Sequence, residues 1–214
     1  MSLTFYGAPH STASVTALVF EELGVPHEVV TVDIRKGDTK KPDFMKLNPN
    51  GKVPMVVHDG TVVWESSAIT MYLGETFGVE KKLWPAAGPK RGEAMRWVTW
   101  SNVTLGEAIG RWLRNTTDWV PADQRNASAG EAGKKDMESC LAILDESLAA
   151  RSFLLGSDYT LVDSHVSSFI EWLRGMKVDL ARWQNLEAWA KRCSSRPASE
   201  RLTQRENATA NRPT

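Results

Sequence analysis

Cysteine is scarce in this chain of 214 residues: there are two, Cys140 and Cys193, far apart and without a C-x-x-C spacing. Both fall on apolar helical stripes and read as reduced, packed thiols, which argues against a redox couple or a disulfide framework. The four histidines, His10, His27, His58 and His165, show no metal-ligand spacing, so no metal is expected, and His165 reads as a packing residue on a helix. An excess of one charge is also missing. Lys and Arg total 26 and Asp and Glu total 26, a balance with no electrostatic footprint for nucleic acid or an anionic membrane. No apolar run approaches the ~20 residues that span a bilayer. Met1-Ser2-Leu3-Thr4 lacks the basic and apolar regions of a secretory signal. The expectation is a cytoplasmic protein with no nucleic-acid or membrane partner, in which the sequons at Asn102, Asn115, Asn126 and Asn207 are idle.

The patterning that is present divides the chain in two. Residues 3–6 read as a short strand, followed by the breaker-rich loop Gly7-Ala8-Pro9-His10. Val15, Leu18, Val19 and Leu23 then recur at helical spacing, and Gly24 stops that helix. Residues 28–32 form a second strand. A charged loop over 35–42 and a short helical segment lead to the turn Asn48-Pro49-Asn50-Gly51. Strands at 54–57 and 62–64 flank Asp59-Gly60, a strong hairpin signal. Glu65-Ser66-Ser67-Ala68 precedes a helix over 69–77, with a serine placed to cap it. A parallel first pair plus an antiparallel hairpin fits a thioredoxin-like α/β domain over residues 1–78. Residues 79–89, with Pro85 and Pro89, read as a linker. Beyond it every periodic segment is helical: Ala94, Trp97, Val98, Ser101, Leu105, Ile109 and Trp112; Met137, Cys140, Leu141, Leu144 and Leu148; Val162, Val166, Phe169, Ile170 and Leu173; Leu186, Trp189, Ala190 and Cys193. The second domain, residues 90–208, is therefore an all-helical bundle. Residues 209–214 are a tail, and the polar stretch from 204 onward reads as frayed.

Four features carry chemistry. Ser11 stands at the head of the first helix, where a hydroxyl either caps the helix or joins its N-terminus in holding an anion. A free thiol of pKa ~8.5 is only about 3% thiolate at pH 7, and lowering that pKa by ~2 units requires about 2.7 kcal/mol. A hydrogen bond to a charged group contributes about 1.5–3 kcal/mol and a helix N-terminus about 0.3–1, so the two suffice without a metal or a catalytic base. Tyr6 and Ser14 are alternative hydroxyls; Tyr6 also reads as a strand-end core residue. Val53-Pro54 heads a strand. The default for such a bond is trans, whereas a cis bond leaves the Val53 backbone free to pair with a bound peptide as an extra strand. Glu65-Ser66 is either a plain helix start or a carboxylate and hydroxyl suited to an amino-acid head. Lys40-Lys41 and Lys52 are either solvated charges or a site for a second carboxylate.

At these positions the chain resembles a cytosolic glutathione transferase over nearly its whole length, closest to the serine-type classes and to the phi class in particular. Gly7-Ala8-Pro9-His10-Ser11 resembles the G-x-P-x-S loop, which implies that Ser11 is the catalytic serine. Thr39-Lys40-Lys41 resembles the basic glutathione-contact loop. Asn48-Pro49-Asn50-Gly51-Lys52-Val53-Pro54 resembles N-P-x-G-x-V-P, with Pro54 as a cis proline, and Glu65-Ser66 matches the pair that holds the γ-glutamyl end. Thr160-Leu161-Val162-Asp163 matches the capping box of the core helix, with Thr160 capping and Asp163 reaching back. Arg196-Pro197-Ala198 resembles the R-P-A segment near the family's end. Where an arginine often follows the serine, Val15-Thr16-Ala17 stands instead.

The resemblance implies a glutathione transferase that activates the glutathione thiol for attack on an apolar electrophile, in detoxification, as a homodimer. Ser11 would donate to the sulfur; Thr39, Lys40 and Lys52 would hold the glycyl end; Val53 and Pro54 would pair with the cysteinyl backbone; Glu65 and Ser66 would hold the γ-glutamyl end. The electrophile pocket would lie between residues 8–10 and the first long helix of the second domain, with His10, Ile109, Trp112 and Thr116 as its wall; the last three read equally well as helical core. A glutathione-dependent peroxidase, isomerase or dehalogenase on the same fold is the alternative, and a non-catalytic binding protein a second. A disulfide reductase is disfavoured because no cysteine sits near the first helix.

Overall fold

The computed structural model describes residues 2–210, with side chains through residue 208. Strand β1 (Leu3–Gly7) buries Leu3, Phe5 and Gly7 on one face and leaves Thr4 and Tyr6 half-buried, the period-2 pattern of a strand packed on helices. Helix α1 (Ser14–Leu23) follows and ends at Gly24, whose φ of 58° lets its N–H close on the Phe20 carbonyl. Strand β2 (Glu28–Thr31) pairs parallel with β1. A short 3₁₀ turn (Asp38–Lys40) and helix α2 (Pro42–Leu47) lead to β3 (Met55–His58) and β4 (Thr61–Trp64). These two form the expected hairpin. Its corner, Asp59 at φ 46° and Gly60 at φ 84°, has the two left-handed residues that match strand twist. The sheet order is β2-β1-β3-β4, with β1 antiparallel to β3.

Helix α3 begins at Ser66 and runs to Leu73, continuing as a π turn over Gly74–Gly78. It starts three residues before the expected 69. Glu65 leaves β4 with φ 73°, turning the chain directly into the helix, and its cap position makes no side-chain capping bond. The connection onward is pinned by Trp84, buried against Gly74 and Gly78.

The helical domain comprises α4 (Pro89–Trp100), α5 (Gly106–Thr116), α6 (Ala127–Leu148), α7 (Leu161–Gly175), α8 (Gln184–Ser194) and α9 (Pro197–Ala210). A π turn over Ser101–Leu105 joins α4 to α5. Helix α7 is the centre of the domain, buried from Leu161 through Ser167 and packed on α1. Its N-terminus carries the capping box: Asp163, fully buried, accepts from the Thr160 N–H at 2.9 Å and from the Thr160 hydroxyl at 3.0 Å. The same carboxylate accepts from the Leu154 N–H at 2.8 Å and the Trp189 indole N–H at 2.9 Å, so one acidic side chain ties three segments together.

The two domains are clamped through Glu21 and Glu22 of α1. Arg196 forms a bidentate pair with Glu22, both bonds 2.7 Å, and stacks over Tyr159. Arg201 and Arg205 both reach Glu21. These bonds correct the expectation of a frayed end: residues 204–210 are helical and lie along α1, while residues 211–214 of the expected tail fall outside the described residues. Among the described residues no helix is long and apolar enough to cross a membrane.

Candidate functional site

The sequence motifs converge on one end of the sheet. The register pairs Gly7 with Thr31, Tyr6 with Met55 and Met55 with Trp64. The loop after β1, the segment after β2, the lead-in to β3 and the start of α3 therefore all emerge together. This is the end of an α/β sheet where ligands bind, outside the carboxyl ends of its parallel strands.

The loop after β1 is held by Ser11. Its hydroxyl donates to the Ala8 carbonyl at 2.6 Å and accepts from the Ala13 N–H at 3.1 Å. Ser11 closes a turn just ahead of α1, which begins at Ser14. His10, exposed, sits before it at φ 51°, a strained left-handed conformation for a residue with a Cβ. Ser14 donates to Glu206 of α9 at 2.6 Å, and His10 Nδ1 lies 3.6 Å from the other oxygen of that carboxylate. Tyr6 is half-buried, edge-on to Phe44. Thr12 belongs to none of the sequence motifs. It is exposed, and its hydroxyl lies 3.4 Å from the Val53 carbonyl, bridging the loop to the head of β3.

Val53-Pro54 is cis. Val53 lies two residues before Met55, where the sheet pairs end. The turn before it is internally tied: Asn48 donates to the Lys52 carbonyl at 2.8 Å, and Lys40 Nζ donates to the Gly51 carbonyl at 3.2 Å. Gly51 itself is left-handed at φ 58°, and an added Cβ would meet Lys40 Nζ at 2.6 Å. Lys40 and Lys52 are exposed at this corner. Thr39 is not; it is buried and packs the base of the loop. Lys41, beside them, is paired with Asp38 at 2.6 Å.

Glu65 is exposed and Ser66 half-buried at the N-terminus of α3. Ser66 Oγ accepts from Asn102 Nδ2 at 2.9 Å, a bond between the domains. Asn102 Oδ1 in turn meets His165 Nε2 at 2.7 Å, and His165 Nδ1 meets the Thr70 hydroxyl at 2.8 Å. Asn102 carries no signal in the sequence beyond an idle sequon, and it sits in the π turn, a local widening common at functional positions. His165 is fully buried, and burial pushes its pKa from 6.5 down to about 3. The unfolded chain takes up this proton below pH 6.5 and the native chain does not. Stability is therefore intact above 6.5 and falls with pH below it, by about 1.4 kcal/mol per pH unit. Urea unfolding of wild type and His165→Gln between pH 7 and pH 5 should show that extra slope in the wild type alone.

The expected electrophile wall is placed differently. Ile109 is fully buried in the core. Trp112 is half-buried against the core and meets α6 through its backbone, where an added Cβ at Gly133 would lie 2.5 Å from its nitrogen; Thr116 is exposed, with its Cγ2 3.0 Å from such an atom at Gly130. The two glycines let α5 pack closely on α6. Of the four, His10 alone lies on the loop. A groove of about 580 Å³ between α7 and α8 is lined by none of these residues, and Arg174 and Lys191 there are already paired with Glu187. Among the described residues no cluster of His, Cys, Asp or Glu is arranged to hold a metal.

Comparison with known proteins agrees with this architecture. The family model of the glutathione S-transferase N-terminal domain matches residues 1–75, and that of the glutathione S-transferase C-terminal domain matches residues 111–197. The chain belongs to the glutathione S-transferase family. Glutathione S-transferase GstB of Escherichia coli strain K12 is 30% identical over 203 residues, covering 94% of this chain and 97% of that protein. The disulfide-bond oxidoreductase YfcG of the same strain is 25% identical over 204 residues, covering 92% of each. Among solved structures, the glutathione transferase URE2P8 from Phanerochaete chrysosporium, with oxidized glutathione, matches with a TM-score of 0.88 at 24% identity over 99% of this chain and 98% of that one. The glutathione S-transferase fold, a four-stranded thioredoxin-like domain followed by an all-helical one, is thus the architecture of this chain.

Proposed function

We propose that this chain binds glutathione at the shared sheet end and activates its thiol for attack on apolar electrophiles, as a serine-type transferase nearest the phi class. The observation that carries the reading is the convergence there of Ser11, Val53-Pro54 and Glu65-Ser66. The tripeptide lies across the head of β3, pairing its cysteinyl backbone with Val53 as an added strand. Its γ-glutamyl carboxylate takes the Ser66 hydroxyl and the first N–H groups of α3, its amine takes Glu65, and its glycyl carboxylate takes Lys40 and Lys52. Thr39, being buried, supports that loop rather than touching ligand.

The sulfur then stands at the N-terminus of α1. Ser11 releases the Ala8 carbonyl and donates to the thiolate, with the Thr12 hydroxyl beside it. The thiol proton leaves to solvent, the thiolate forms a bond to the electrophile's carbon, and the leaving group departs with the bonding pair. The electrophile enters alongside His10. A homodimer in the cytoplasm, acting in detoxification, completes the proposal.

A second reading follows from the similarity to YfcG: glutathione-dependent disulfide reduction. Glutathione would have to supply the thiol, since Cys140 and Cys193 are buried and burial raises both of their pKa values. Steady-state turnover with glutathione and, in parallel, an aryl halide, an organic peroxide and a mixed disulfide separates the readings. Conjugation of the halide is expected to dominate; turnover of peroxide or disulfide without conjugation would reassign the reaction.

A further inference from the structure

We propose that Asn102 and His165, both from the helical domain, act as positioning residues that fix the Ser66 hydroxyl as a proton donor toward the γ-glutamyl carboxylate of glutathione. The inference rests on the glutathione reading above and adds to it a selectivity device that spans the two domains.

The hydrogen-bond directions carry it. An amide N–H has no lone pair, so the 2.9 Å bond from Asn102 Nδ2 to Ser66 Oγ consumes a lone pair of the serine oxygen. The Ser66 proton is then free to point away from Asn102, out toward the N-terminus of α3 where an anion would bind. For this to hold, the Asn102 amide must not flip. Its Oδ1 is engaged by His165 Nε2 at 2.7 Å, and an oxygen there requires the proton to be on Nε2. The other ring nitrogen must then be bare, and it is satisfied as such by the Thr70 hydroxyl at 2.8 Å. Flipping Asn102 would also require the imidazole proton to move to Nδ1 and the Thr70 hydroxyl to turn from donor to acceptor, so the Ser66 proton turns inward only if all three groups change together. The ring is held in place: His165 is fully buried, packed at 5.8 Å from Phe169, and burial keeps it neutral, so one ring nitrogen donates and the other accepts over the working pH range.

Each member is therefore held by the next, from Thr70 in the core of α3 through α7 and the π turn back to Ser66 at the head of α3. A ligand carboxylate gains a pre-aimed donor whose direction is set before binding. A ligand without that carboxylate gains nothing from it, so the chain acts as a reader of the γ-glutamyl end.

The test is calorimetric binding of two probes: glutathione, and the same tripeptide with 4-aminobutyrate in place of the γ-glutamyl residue, which lacks only that carboxylate. Wild type is expected to prefer glutathione by roughly 10-fold or more, the loss of one charge-assisted bond. Asn102→Ala should weaken glutathione by about 10-fold and leave the analogue within ~2-fold, and it should add nothing in a Ser66→Ala background. His165→Leu, a second variant that leaves Asn102 in place, should show the same selective loss. His165→Gln, which offers one N–H and one carbonyl in the same place, should restore wild-type selectivity. Equal weakening of both probes, or glutathione binding that neither Asn102→Ala nor His165→Leu alters, would overturn the proposal and leave the network a structural one. A wild type that binds neither probe would instead overturn the glutathione reading on which it rests.

Discussion

Ser11→Ala is expected to lower kcat/KM for conjugation at pH 7 by about 10- to 100-fold, the worth of one hydrogen bond to a charged sulfur. In the free protein this hydroxyl serves the loop, donating to Ala8 and accepting from Ala13. Exchanging a neutral carbonyl acceptor, worth about 0.5–1.5 kcal/mol, for a thiolate, worth about 1.5–3, favours rotation toward the ligand once the sulfur is in place. The N-terminal amides of α1 remain in the variant and contribute about 0.3–1 kcal/mol, so activation is weakened rather than abolished. The acidic limb of the pH profile should move upward by ~1–2 units, because each unit corresponds to 1.36 kcal/mol. KM for glutathione should change little, since its ends are held by Lys40, Glu65 and Ser66. Parallel kinetics of Thr12→Val decide between neighbours: a larger effect there than in Ser11→Ala would transfer the role to the hydroxyl beside Val53. Ser14 is a poorer candidate, because its proton is already given to Glu206.

Asp163→Ala should be the most damaging substitution for stability, costing about 3–5 kcal/mol, a large share of a domain's usual total. The carboxylate is fully buried and receives four donors, from Thr160 twice, from Leu154 and from Trp189. Alanine leaves all four unsatisfied in an interior that water does not reach. Asp163→Asn keeps one oxygen but turns an amide N–H toward donors, so it should fall between wild type and alanine. Urea midpoints for the three proteins give that order; an alanine variant within 1 kcal/mol of wild type would mean that water or a repacked side chain serves the four donors.

Much of the fold could be read locally. Asp59-Gly60 specifies a hairpin because only a left-handed pair suits its twist, Gly24 ends α1 for the same conformational reason, and Thr160 with Asp163 marks the start of α7 within four residues. The candidate site residues are likewise grouped in short motifs. The remaining features depend on contacts between distant segments. Asn102 reaches Ser66 from 36 positions away, and Glu206 reaches Ser14 from 192, so neither has a periodic signature. Residues 204–210 look too polar to order, yet their charges are what anchor them to Glu21 and Ser14. The burial of Thr39 and the close approach of α5 to α6 at Gly130 and Gly133 also follow from packing partners that no local pattern announces.

The central claim is that this site turns the glutathione thiol into a thiolate. Ultraviolet thiolate absorbance of glutathione bound to the wild-type protein, followed across pH, tests it directly. The expected result is a thiol pKa ~1–2 units below the free value of about 8.5, returning toward that value in Ser11→Ala. Bound glutathione that titrates at its free value in the wild type would contradict it and leave a protein that holds the tripeptide without activating it.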